Sequence, residues 1–244
     1  MDGATRAIIE LAWARRLGLG DDAFSCGAAA RLTRTDETTA SFVTLWEHRV
    51  LVGPAWLLER AEQVDDPVLA SGPGLLGLLS QDPGRAVRGR LLGEAVLAFA
   101  DGYVTHERLG TVVVADDPQA VHDLERQCPP DDVTEVGLST LGERFVLLDD
   151  RGTTTAGSGY AEWEHILAHL GVLVPPALRR EGHGLLAGAM ALNDALDSGL
   201  VPQWRSRSEN VASMLLARRL GFEPVGTQTT VLLAPPPEQS AQLS

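Results

Sequence analysis

His169-Leu-Gly-Val-Leu-Val-Pro-Pro-Ala-Leu-Arg-Arg-Glu-Gly-His-Gly184 is the stretch from which the rest of the chain is read. It opens as an apolar, strand-like run from His169 to Val174 and stops at Pro175-Pro176. It then passes through Arg179-Arg-Glu-Gly-His-Gly184 into an apolar-periodic helix. A strand that feeds a helix through a glycine-bearing turn presents open backbone N–H groups at the helix N-terminus. Together with the positive end of the helix dipole, they make an anion site. Gly182 and Gly184 carry no Cβ, so a phosphate could approach the backbone closely.

Two familiar phosphate motifs are excluded. A G-x-x-x-x-G-K loop cannot occur, because all 20 basic residues are arginine. No G-x-G-x-x-G is followed by an acid about 20 residues on. Downstream, Gln203-Trp-Arg-Ser-Arg207 is a short polar segment. A second helix starts near Ser208-Glu-Asn210, carries Asn210-Val-Ala-Ser213 and stops at Leu220-Gly-Phe222.

This ordered set resembles the acyl-CoA signature of the GNAT superfamily of N-acetyltransferases, in which an apolar strand leads through R/Q-x-x-G-x-G/A into a helix. Arg179, Gly182 and Gly184 match it, and Asn210 to Ser213 with Leu220 to Phe222 match the N-x-x-S and L-G-F that follow. The resemblance implies an α/β fold with a mixed sheet, acetyl-CoA or another acyl-CoA as cofactor, and direct acyl transfer to a primary amine. It implies cofactor contacts from the backbone of Val172 and Val174, from Arg179, Arg180, Glu181, Gly182, His183 and Gly184, and from Asn210 and Ser213. Glu181 departs from the family, since an acid beside a pyrophosphate is repulsive and must point away.

The catalytic groups are less well marked. The family's tyrosine, four residues before the G-F glycine, is replaced by Ala217, which leaves water, Ser213 or Tyr160 to protonate the leaving thiolate. The family's glutamate on the strand before the turn falls on Ala168, and His169 stands beside it. An unperturbed histidine suits a base at neutral pH, although strand alternation turns His169 away from Ala168. A general base and a buried, hydrogen-bonded core residue both fit His169. Glu162 and Glu164 are the next candidates for the base. Trp163 and Trp204 fit either walls of an acceptor pocket or the core.

Composition narrows the classes. The chain has 244 residues and a net charge of −13. That charge argues against nucleic-acid binding and against docking on anionic membranes. It would suit a cationic small-molecule or peptide amine. No apolar run approaches membrane-spanning length, and no signal-peptide core precedes the first arginines. Cys26 and Cys128 have no partner at metal spacing and read as free thiols. A cytoplasmic enzyme is expected, with a homodimer an open possibility.

In chain order, residues 4–18 read as an amphipathic helix with Ile8, Ile9, Ala12 and Trp13 on one face. Two strand-like runs, Ser41 to Trp46 and Arg49 to Val52, precede a helix from Ala55 to Val64. A weaker helical run spans Val68 to Leu79. Gln81 to Arg90 reads as a linker or exposed loop, and Leu91 to Ala100 as a strand. Thr111 to Ala115 is a strand and Pro118 to Gln127 a helix ended by Pro129-Pro130. Glu143 to Leu148 and Thr153 to Trp163 form a hairpin around Asp149-Asp-Arg-Gly152.

The expected organisation is an α/β region of unknown type over 1–103, a GNAT-like domain over 104–234, and a disordered tail over 235–244. The pattern at 40–64 could be the remnant of a second acyltransferase-like fold. A second function class stays open: a non-catalytic CoA-binding or regulatory module with a degenerate site. It is favoured by Ala217, by Glu181 and by some hundred residues that the motif does not explain.

Overall fold

A computed structural model describes residues 1–25, 31–80, 89–115 and 117–233. In chain order these form α1 (Gly3–Arg16), β1 (Leu32–Thr35), β2 (Thr39–Leu45), β3 (His48–Gly53), α2 (Ala55–Ala61), α3 (Asp66–Ala70), α4 (Gly72–Ser80) and β4 (Gly89–Phe99). There follow β5 (Val113–Val114), α5 (Gln119–Glu125), α6 (Pro130–Val136), β6 (Glu143–Leu148), β7 (Thr154–Trp163), β8 (Leu167–Leu173), α7 (His183–Asp197), β9 (Val201–Arg207), α8 (Val211–Arg219) and β10 (Glu223–Leu233). The class is mixed α/β, as the sequence suggests. Cys26, most of the expected 81–90 linker, Asp116 and the 235–244 tail lie outside the described residues.

Contacts group the chain differently from a linear boundary at 103/104. Among the described residues, one unit holds 1–16 with those of 97–224; the other holds those of 17–96 with 225–233. The N-terminal helix belongs to the first unit because its apolar face is buried there: Ile9, Ala12 and Trp13 are covered, and the Trp13 indole donates to Gln203 Oε1 at 3.0 Å. Ile8, expected on that face, is 44% exposed.

In the first unit the strand order runs from the end of β4 through β9, β8, β7 and β6 to β5. β6, β7 and β8 form an antiparallel meander, and β8 pairs with β9 in parallel. A parallel neighbour needs a crossover, which α7 supplies. The Ala/Gly-rich face of α7 lies close on the sheet, with Ala187, Ala189, Ala191 and Ala195 buried. Ser158 Oγ donates to the Ala187 carbonyl at 2.7 Å, so helix and strand share a buried hydrogen bond. Gly159 permits the tight β6–β7 pairing, since a Cβ there would sit 2.1 Å from the Glu143 carbonyl oxygen.

Two local expectations need correction. Pro129-Pro130 does not merely end a helix, because Pro130 opens α6. Proline is tolerated at a helix start, where its missing N–H would have no partner; Gly137, at φ +61°, ends that helix. The Val68 to Leu79 run divides into α3 and α4 around Ser71, whose backbone is extended.

In the second unit β1 pairs parallel with β3, the β2–β3 hairpin turns at Trp46, and β10 pairs antiparallel with β2. Phe42, Leu51, Leu57, Leu69, Leu75, Leu79 and Val231 form its core. Arg31 ties the end of α2 to α3, donating to the carbonyls of Ala61 and Val64 and to Asp66 Oδ1. No helix of the described residues is long and apolar enough to cross a membrane.

Candidate functional site

The parallel pairing of β8 with β9 is short. It runs Leu167↔Val201, Ala168↔Pro202, His169↔Gln203 and then stops, although both strands continue for four residues. Beyond His169 the β9-facing edge of β8 therefore has no strand partner among the described residues. Backbone polar groups at such an edge are a template for an extended ligand. Val172 and Val174 lie along it, and the Val174 carbonyl accepts from Arg179 Nε at 3.1 Å.

The same edge leads to the start of α7. Arg180 and Gly182 have positive φ, +68° and +89°, which turns the chain sharply into the helix. Leu185 and Leu186 both donate to the Gly182 carbonyl. The N–H groups of Gly182, His183 and Gly184 make no hydrogen bond to described residues, the normal condition of a first turn. A Cβ at Gly182 would meet nothing within 4 Å, so that turn is open. Gly184 differs from expectation: its Cβ would sit 3.3 Å from Val174 and 3.5 Å from Leu216, so this glycine serves helix–strand packing more than ligand approach.

The side chains around the turn are partly committed. Arg179 is ion-paired with Asp132 of α6 at 2.5 Å. Glu181 lies 3.6 Å from His183 Nε2 and is itself exposed. Asn210 caps α8, its Oδ1 accepting from Ser213 N at 3.1 Å, which gives N-x-x-S a structural reason. Ser213 Oγ accepts from the Trp204 indole at 2.9 Å, leaving its own proton available. Ala217 is buried in the core beside Leu220 and Phe222.

The catalytic candidates fall on two faces. Ala168, Leu170 and Tyr160 face α7 and α8. Glu162, opposite Ala168, lies near the strand end within 3.4 Å of His165. Tyr160 donates to Asp194 Oδ2 at 2.8 Å, and burial with that carboxylate pushes its pKa up to about 12. It is tied to the far part of α7 rather than to the strand opening.

His169 faces the other way, as strand alternation requires. Its ring lies 4.7 Å from that of Trp163, and its Nδ1 is buried without a hydrogen-bond partner. Burial first, then the Arg205 and Arg16 guanidiniums, depress its pKa to about 3. A histidine so placed is neutral at pH 7 and holds a proton too weakly to serve as an effective base there. Glu164, in the β7–β8 turn, lies 4.0 Å from Arg16. Glu164 thus pairs with Arg16, one of the two guanidiniums that act on His169, while Glu162 lies with His165.

Sequence reasoning missed most of this cluster. Arg16 stacks on Trp163 at 4.4 Å, Arg205 lies over the same ring at 5.3 Å, and Trp13 meets it edge-on at 6.3 Å. Gln203 is fully buried, and its Nε2 has no partner. Alternation along β9 was the available signal, since it places Gln203 and Arg205 on one face. Trp204, between them, packs on Phe222 on the opposite face. Of the two tryptophans weighed as pocket walls, Trp163 belongs to this cluster and Trp204 to the core. Cys128 is half-buried, and burial raises its pKa, which makes it an inert thiol.

No family model and no curated protein matches the sequence. Solved structures similar to it include several described as GNAT-family or GCN5-related acetyltransferases. One from Novosphingobium aromaticivorans is 20% identical, with a TM-score of 0.46, over 60% of this chain and 68% of its own. One from Colwellia psychrerythraea is 16% identical, also at 0.46, over 59% and 57%. One from Kribbella flavida is 19% identical, at 0.46, over 67% and 65%. The chain thus covers less than two thirds of the length of the last two. At such identities the chemistry of the site has to be read from this chain's own residues.

Proposed function

We propose that the chain is an acyl-CoA-dependent N-acyltransferase, with acetyl-CoA as donor and a primary amine of a small molecule or peptide as acceptor. The observation that carries this reading is one continuous surface: the unpaired edge of β8 beyond His169 runs into the open amides at the start of α7. An extended pantetheine arm suits the first, and a pyrophosphate suits the second.

The acceptor nitrogen would attack the thioester carbonyl carbon where β8 and β9 part. The C–N bond forms as the C–S bond breaks. Of the two protons lost from the ammonium, one leaves with CoA as its thiol and one goes to solvent. Ser213 is the candidate donor to the departing sulfur, because the Trp204 indole fixes its oxygen as an acceptor and leaves its proton to give. His169, neutral and unpartnered at Nδ1, suits a hydrogen-bonding role toward the acceptor better than that of a base.

Binding of acetyl-CoA and CoA by calorimetry, with Gly182→Ala and Gly182→Glu in parallel, tests this reading. Both variants carry the same backbone strain at φ +89°, and only the second adds an anion to the open turn. The alanine variant is expected to bind and the glutamate variant not. Equal binding by both, or no binding by the unaltered protein, would sink it. A non-catalytic CoA-binding module is the second reading, favoured by Ala217 and by the Arg179–Asp132 pair. Saturable CoA binding with no transfer to any amine would select it.

A further inference from the structure

The reading above leaves the acceptor open, and an acid-rich chain invites a cationic one. The face beside the strand opening has the opposite character. His169 and Gln203 are the last paired residues before β8 and β9 part, and Arg205 follows on the same face of β9. Arg16 reaches this face from the end of α1. Its guanidinium and that of Arg205 lie over one Trp163 ring, at 4.4 and 5.3 Å. Each cation is attracted by the ring, but the two repel one another: burial first, and then Arg16, lowers the pKa of Arg205 to about 10. Glu164, 4.0 Å from Arg16, is a partial counterweight at the rim. Arg205 also has an interaction beyond these.

Gln203 Nε2 and His169 Nδ1 are buried here without a hydrogen-bond partner. Gln203 is fully covered, and its Oε1 is fixed by the Trp13 indole, so its amide nitrogen is oriented as a donor. Leaving a buried donor unsatisfied is costly, a cost that an arriving acceptor oxygen removes. His169, kept neutral, can offer a second N–H. Convergent guanidiniums, a fixed amide donor, a neutral imidazole and an indole wall together recognise an anionic group on an organic body.

We propose that the acceptor is a primary amine that also carries an anionic group, carboxylate or phosphate, seated against Trp163 by Arg16, Arg205 and Gln203. This rests on the acyltransferase reading for the fate of the amine, but not for the anion site itself. The net charge of −13 belongs to the whole surface; the local site is cationic. An anion bound between the guanidiniums would also relieve the repulsion that adds to burial in disfavouring a charged His169.

The test has two arms. In the first, kcat/KM for acetyl transfer is measured on matched acceptors: L-leucine against L-leucinamide, and O-phosphoethanolamine against ethanolamine. The anionic member of the preferred pair is expected to be used about 10- to 100-fold better, the range for a hydrogen-bonded charge. The preferred pair distinguishes carboxylate from phosphate. Arg16→Gln, at a half-exposed position that folding should tolerate, is expected to collapse the ratio, and Arg16→Lys to retain much of it.

In the second arm, sodium acetate and sodium phosphate are titrated without acyl-CoA while the His169 ring resonances are followed. A saturable perturbation is expected from the anion that the first arm prefers. Equal use of both members of each pair, with acetyl-CoA bound, overturns the acceptor proposal and leaves acyl transfer standing. No saturable perturbation by either anion overturns the anion site. Anion binding without transfer to any amine keeps the site and overturns the acyltransferase reading.

Discussion

Replacing His169 by glutamine should change how stability depends on pH, and the size of the change follows from its surroundings. The ordinary histidine pKa is 6.5, and in the fold that of His169 is about 3. The folded value is the lower, so the fold favours the neutral imidazole. That contribution is fully present above about pH 6.5 and is lost as pH falls toward 3. Each pH unit below the unfolded pKa costs about 1.36 kcal/mol. Two units, at about pH 4.5, therefore cost about 2.7 kcal/mol.

The charged groups acting on the ring are Arg205 on β9 and Arg16 at the end of α1; Glu164, in the β7–β8 turn, lies 4.0 Å from Arg16. Only the first two enter as causes, and both disfavour a second cation. Urea unfolding of the natural protein and of His169→Gln at about pH 7.5 and pH 4.5 isolates this residue, because all other titrations cancel in the difference. The stability gap should move by about 2.7 kcal/mol in favour of the glutamine variant at the lower pH. A gap independent of pH, or a His169 pKa near 6.5 by NMR, would refute the reasoning and restore the residue as a candidate base.

Three further outcomes are expected. Gly159→Ala should destabilise by about 3 kcal/mol or more, or prevent folding, because its Cβ would meet backbone rather than a movable side chain; a melting temperature within a degree of the original would contradict this. Tyr160→Phe should cost about 1 kcal/mol by stranding Asp194, while transfer rates stay within about twofold; a large loss of kcat at unchanged stability would make the phenol a participant. Asp132→Ala should free Arg179 for phosphate and tighten acetyl-CoA binding up to about fivefold, since an exposed pair is worth at most about 1 kcal/mol. Calorimetry reads that directly, and weaker binding would assign Asp132 to the cofactor.

The local signals in the sequence proved good where one segment contains its own reason. The β6–β7 hairpin is one such case: Asp149 Oδ1 accepts from the N–H groups of Arg151 and Thr153, a turn that its own residues build. The glycine turn before α7 is another, because positive φ at Gly182 is written into the residue type. The α8 start is a third, since Asn210 needs only the amide of Ser213 three positions on.

The rest was settled by partners far apart in the chain. Nothing near Gln203 announces that Trp13, 190 positions away, fixes its amide. Nothing beside His169 indicates that burial, and after it Arg205 and Arg16, would hold it neutral. The sequence alone determined much of the order of elements, though not β1 or α6, and the glycine-bearing turn before α7, because periodicity, caps and backbone-permissive residues act over a few positions. The tertiary structure alone decided the electrostatics of the face around Trp163 and the reach of the β8–β9 pairing. Burial, charge proximity and strand register are properties of neighbours in space, and no stretch of chain carries them by itself.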